Sequence, residues 1–245
     1  MLLPLFFLPH LAASQIQIQH ESIPLRILPA GASVTYGVGS PSGSSYRLPL
    51  RNLLLGDQHS VNYVGTHRHG NFTDNDLEAT SGFVLSQIAN ATLAAAEKFL
   101  PNLVIIEAGT NDCNRGRNAS PVDIAKNFTE MIRGLFRMSP GVTVLSTTLL
   151  VNPNEDQDFC RKAVNLLYQD AAKIFVTEGA RFGLVDMRDP EGPTVQDLAD
   201  GRHPNDKGYK KMADVWKRGI DDLVGRGVLT KPADNGIPWD GDVRN

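Results

Sequence analysis

The segment "DLADGRHPNDKGY" places Asp200 three residues before His203 on a glycine-containing loop. One turn at that spacing can aim the carboxylate at one imidazole nitrogen and fix the tautomer. The other nitrogen is then free to take a proton from a substrate or a nucleophile. A base held in this way needs a nucleophile, and the candidate is Ser33 in "PAGASVTYGVGS". Gly31 relaxes the backbone just before it, and Ala32 leaves room around it. The same loop fails as a phosphate cradle. No Lys follows Gly37 or Gly39, and Ser42 stands where a dinucleotide fingerprint needs its third glycine. Read alone, Ser33 serves as a helix cap as readily as a nucleophile, and Asp200 can cap a helix beside a surface histidine.

Two further positions could stabilise a developing negative charge. Asn111 follows the apolar run of "LVIIEAGTNDCN", and its neutral amide suits an oxyanion without trapping a charged ground state. Gly82, in "EATSGFVLSQI", opens a helical stretch with a backbone N–H that could point into the same crevice. The alternatives are an Asx turn at a strand end for Asn111 and an ordinary helix-start glycine for Gly82. Asp112 reads as a cap or an ion-pair partner, and Glu107 has no evident role. The remaining histidines offer weaker bases. His10 lies in the apolar N-terminus, and His20 and His59 have polar, loop-like surroundings. His67 and His69, in "THRHG", lack the carboxylates that a metal site would bring. No metal or cofactor is expected.

Positioning these residues falls to alternating apolar runs and helical stretches. Strands are expected over 25–29, 61–65, 103–108, 142–147 and 182–185, with helices over 46–56, 82–99, 121–138, 158–178 and 205–225. The helix from 121 has Ser120 as cap, Pro121 in its first turn, and Ile124, Phe128, Ile132 and Leu135 at helical spacing. Five βα units in series imply a mainly parallel sheet with helices on both faces. Ligands in such folds bind beyond the C-terminal strand ends, where the polar motifs fall.

The chain has 245 residues with a net charge of −3, which gives no electrostatic case for nucleic acid or an anionic membrane. Residues 1–14, "MLLPLFFLPHLAAS", read as a secretory signal, too short to span a bilayer, with Ala12, Ala13 and Ser14 suiting a cleavage site. Asn71, Asn90, Asn118 and Asn127 each begin a glycosylation sequon. An extracellular destination follows, and there the two cysteines, Cys113 and Cys160, are expected to pair. The bridge would close a loop of about 48 residues, worth roughly 4 kcal/mol. The alternative is two unrelated buried thiols.

Taken in order, "GASVTYG", "SGFVLSQI", "GTND" and "DGRHP" resemble the four blocks of the SGNH hydrolases, the GDSL esterase and lipase family. The phrases "VNYVG", "GTNDC" and "DGRHPNDKGYKKMADVW" look most like its family 3 carbohydrate esterases, which include acetyl xylan esterases. Ala32 departs from the Asp of the family's name motif. The resemblance implies a three-layer α/β/α flavodoxin-like fold with a five-stranded, mainly parallel sheet. It covers a catalytic domain at 22–228, followed by a tail at 229–245 that reads as an extended strap or a loose end. It implies Ser33, Asp200 and His203 as catalytic residues and Ser33, Gly82 and Asn111 as the oxyanion hole. It implies a secreted, cofactor-free monomer acting on an acetylated polysaccharide or another small ester, without stable membrane association. A lysophospholipase or general short-chain esterase is the alternative enzyme, and a carbohydrate-binding protein on the same scaffold the non-enzymatic one. Tyr36 and Tyr46 are candidate platforms for a sugar.

Overall fold

In β1 (Leu25–Gly31), Leu25 and Ile27 face one hydrophobic cluster while Leu28 and Ala30 face another. Such two-sided burial is what a parallel strand covered by helices on both faces requires. The computed structural model describes residues 23–114 and 119–243, and the signal-like N-terminus, His10, His20 and Asn118 lie outside them.

The first turn, α1 (Ser33–Tyr36), leads to α2 (Arg47–Gly56), then to β2 (Val61–Tyr63), β3 (His67–Arg68) and β4 (Asp76–Ala79). There follow α3 (Leu85–Phe99), β5 (Leu103–Glu107), α4 (Pro121–Met138), β6 (Thr143–Thr147), α5 (Glu155–Thr177), β7 (Phe182–Val185) and α6 (Asp206–Gly225). β1 pairs in parallel with β5, β5 with β6, and β6 with β7. On its other side β1 pairs with β2 at its start and with β4 at its end. The chain therefore winds one way from β1 and then returns to its opposite side at β5. In such sheets ligands bind beyond the C-terminal strand ends at the reversal, which here falls at β1 and β5.

α3, α4 and α5 cover one face and α2 and α6 the other. On α4, Ile124, Phe128, Met131, Ile132 and Leu135 are buried, and the Ser120 hydroxyl accepts the Asp123 N–H at 3.1 Å. On α6, Tyr209, Met212, Trp216, Ile220 and Leu223 form the buried stripe.

The expected α/β class holds, but among the described residues the sheet has seven strands rather than five. The additions are β3 and β4, which pair antiparallel with each other. β4 reads Asp-Leu-Glu-Ala and carries no apolar run. Its Glu78 is nevertheless buried because its carboxylate accepts the Thr66 N–H and hydroxyl at 3.0 and 2.7 Å. The segment after Gly227 runs as an extended strap across the N-terminal strand ends. Buried Arg26 donates to Ala233 O and Ile237 O at 3.0 and 3.1 Å, and Asn102 donates to Thr230 O at 2.7 Å.

Candidate active site

The chain leaves β1 at Gly31, where a Cβ would lie 2.7 Å from Glu107 O on the neighbouring strand and would also strike Thr35. Only a glycine lets β1 and β5 approach here while α1 turns over them. Ala32, not Ser33, occupies the helix cap, and no side-chain bond caps this turn. The Ser33 hydroxyl is therefore not spent on capping. It lies 2.9 Å from His203 Nε2.

His203 sits on a loop closed by a bridge between Leu198 and Pro204 and by Ala199 N–H donating to His203 O at 2.7 Å. Asp197, beneath it, is buried and accepts from Thr194 and Lys211. Asp200 holds the imidazole through Oδ2, 2.7 Å from Nδ1, while its Oδ1 accepts the Arg202 and His203 N–H groups at 2.9 and 2.8 Å. Partial burial pushes the Asp200 carboxyl up. The hydrogen bonds from the His203 ring and the two backbone amides outweigh this and bring it down to about 2.

The loop after α1 and the histidine loop are tied directly. Tyr209 donates to Val38 O at 2.6 Å, and Ser40 donates to Asp206 at 2.7 Å. Gly39 has a φ of +92° and lies against His203 and Pro204, so a side chain there would displace His203. Arg47, fully buried, donates to the carbonyls of Thr35, Tyr36, Gly43, His69 and Asn75 and so knits α1 to the β3–β4 hairpin. Its neighbourhood in "SYR" carries no chemical signature, and only its burial reveals the role.

Asn111 is nearly buried. Its Nδ2 donates to Phe83 O at 2.9 Å, and its Oδ1 accepts from Asn114 at 2.9 Å. The first bond joins the β5 loop to the turn carrying Gly82, whose φ is +88° and whose N–H precedes Phe83. Asp112 reinforces the junction by accepting the Leu85 N–H at the start of α3, the capping role open to it in the sequence. Cys113 and Cys160 are disulfide-bonded and link this loop to α5. A polar groove beside Asp200 is lined by Asn152, Asn154, Gln157 and Arg202.

Other expectations fall elsewhere. Tyr46 is fully buried with its hydroxyl 3.1 Å from Thr35 Oγ1, so it cannot serve as a surface platform. Tyr36 is partly exposed and stacks on His69 at 3.9 Å. His59 Nδ1 contacts Ile23 O, and His67 lies on exposed β3. Asn71, Asn90 and Asn127 are exposed.

Residues 30–211 match the GDSL-like lipase/acylhydrolase family. The chain is 24% identical over 228 residues to a multidomain esterase of Ruminococcus flavefaciens, covering 80% of this chain but 28% of that protein. Its fold is similar to that of the Clostridium thermocellum family 3 carbohydrate esterase, with a TM-score of 0.72, 26% identity, and coverage of 84% and 99% of the two chains. A family 3 carbohydrate esterase from Talaromyces cellulolyticus aligns with a TM-score of 0.71 at 22% identity, covering 82% and 99%. With three quarters of its length matched, the chain belongs to the GDSL-like lipase/acylhydrolase family.

Proposed function

We propose that this protein is a secreted serine esterase that removes acetyl groups from a plant cell-wall polysaccharide such as xylan. The observation that carries the reading is the unbroken chain from Ser33 through His203 to Asp200 at 2.9 and 2.7 Å. His203 Nε2 takes the Ser33 proton as Oγ attacks the ester carbonyl. Asp200 keeps Nδ1 protonated and stabilises the imidazolium. The N–H groups of Ser33 and Gly82 and the remaining Asn111 amide hydrogen receive the oxyanion. His203 then protonates the leaving alcohol, and water activated by the same imidazole releases acetate.

The polysaccharide is favoured by the groove beside Asp200. Its amide and guanidinium groups suit sugar hydroxyls, and the similar family 3 carbohydrate esterases point to the same class. Export is favoured by the signal-like start, the disulfide and the exposed sequons at Asn71, Asn90 and Asn127. The test is acetate release from acetylated xylan beside a panel of p-nitrophenyl esters of increasing acyl length. Activity on xylan with a fall beyond the shortest acyl chains is expected. A preference for long acyl chains, or for lysophospholipid, would overturn the polysaccharide assignment and leave a general lipase or esterase.

A further inference from the structure

The triad and the oxyanion donors leave one buried acid without a role. Glu107 ends β5, is fully buried, and pairs in register with Gly31, two residues ahead of Ser33. One carboxylate oxygen accepts the Thr110 hydroxyl at 2.7 Å, and the other has no hydrogen-bond partner. Thr110 directly precedes Asn111 in the chain. Arg161 of α5 is also fully buried. It donates through Nη1 to Leu150 O and Val151 O at 3.2 Å, while its Nε and Nη2 lack partners.

Burial pushes the Glu107 carboxyl up. The Thr110 hydrogen bond and the charges of Arg161 and His203 act against that shift. Burial likewise brings Arg161 down to about 10, with Glu107 opposing. The side chains of Tyr46, Tyr168 and Tyr209 also feel the Glu107 charge. A site that needed only packing would be filled at lower cost by an apolar residue, because a buried carboxyl is expensive to desolvate. The strand end instead carries an acid whose one satisfied oxygen grips the residue before the oxyanion amide.

We propose that Glu107 is a positioning residue that fixes the Asn111 amide through Thr110. The inference rests on the esterase reading only for its kinetic arm. In that arm, Thr110→Val and Glu107→Leu lower kcat on p-nitrophenyl acetate by about tenfold or more, short of the 100- to 1,000-fold that loss of a donor costs. KM stays within about twofold, as for an interaction made only in the transition state. Glu107→Gln keeps an acceptor for Thr110 and restores kcat to within about threefold of the parent, and the Thr110→Val/Glu107→Leu pair is no worse than its worse member.

A second arm is independent of turnover. The Asn111 side-chain amide resonance, assigned by its disappearance in Asn111→Ala, shifts or broadens in Thr110→Val and stays in place in Glu107→Gln. Thr110→Val changes no charge and little volume, so it serves even where Glu107→Leu fails to fold. An unmoved Asn111 resonance in Thr110→Val overturns the proposal, as does Glu107→Gln falling as far as Glu107→Leu. A protein without esterase activity whose Asn111 resonance still responds would sink the esterase reading and leave the positioning role standing.

Discussion

Ser33 is 5% exposed and the Asp200 side chain 53%, so the hydrogen-bonded chain runs from a nearly buried hydroxyl to a carboxylate at the surface. A carboxylate that wet would titrate with solvent if nothing held it, but its three hydrogen bonds depress it to about 2. Its depressed value keeps it ionised throughout the working range, and only below about pH 3 does it take up a proton. An NMR titration of the Asp200 side-chain carboxyl is therefore expected to show no protonation above pH 4; a chemical-shift step above pH 4 would contradict this. Asn111→Ala is expected to lower kcat by about 100- to 1,000-fold with little change in KM; near-normal turnover would remove its role as a donor. At this scale the sequence was partly legible. Asp200 and His203 could be paired from spacing, because three residues of one loop set their geometry, but a capping Asp beside a surface His has the same spacing. Ser33 could not be assigned alone, because a helix cap and a nucleophile look alike until the base is found 170 positions away. Glu107 was opaque, since its interest lies in burial and in Thr110, neither of which spacing reveals.

The elements that carry the site are held at their strand ends by cross-links between loops. The Tyr209–Val38 and Ser40–Asp206 bonds join the Ser33 loop to the histidine loop, and the disulfide joins the Asn111 loop to α5. Replacing both Cys113 and Cys160 by Ser frees a loop of 47 residues' separation. The expected cost is about 4 kcal/mol, or a fall in Tm of roughly 10 °C by calorimetry. A larger relative loss is expected in kcat than in KM, because the freed loop carries Asn111. Unchanged melting and turnover would show that the bridge is dispensable. The helices were readable from capping and periodicity. Pro121–Met138 is found where Ser120, Pro121 and the apolar spacing put it. β3 and β4 were missed because they are short and polar, and what stabilises them is tertiary: Arg47 on the His69 and Asn75 carbonyls, and Glu78 on Thr66.

At the scale of the whole molecule, chemistry and stability sit at opposite ends of the sheet. The C-terminal strand ends bear the polar loops. The N-terminal ends are closed by the strap, which supplies acceptors to Arg26, Asn62 and Asn102 and carboxylates to Arg51. Removing residues 230–245 leaves those buried donors to find other partners and is expected to lower Tm by roughly 5 °C or more. kcat at 25 °C should survive within about twofold, since none of the described strap residues is hydrogen-bonded to Ser33, Asp200 or His203. Loss of activity in a truncated chain that remains folded would show that the two ends are coupled. Five βα units in the sequence were enough to foretell the parallel sheet, because alternating apolar runs with helices between them have few ways to close. The strap's path was not legible, since its few apolar residues make no pattern and most of its contacts to the strand ends are made by backbone carbonyls.

The central claim is that Ser33 is an activated nucleophile, and a fluorophosphonate probe tests it most directly. The expected result is a single covalent adduct on Ser33, lost in Ser33→Ala together with release of acetate from a short-chain ester, in a variant that melts like the parent. Failure of the correctly folded protein to label, or labelling and turnover that persist in Ser33→Ala, would contradict it.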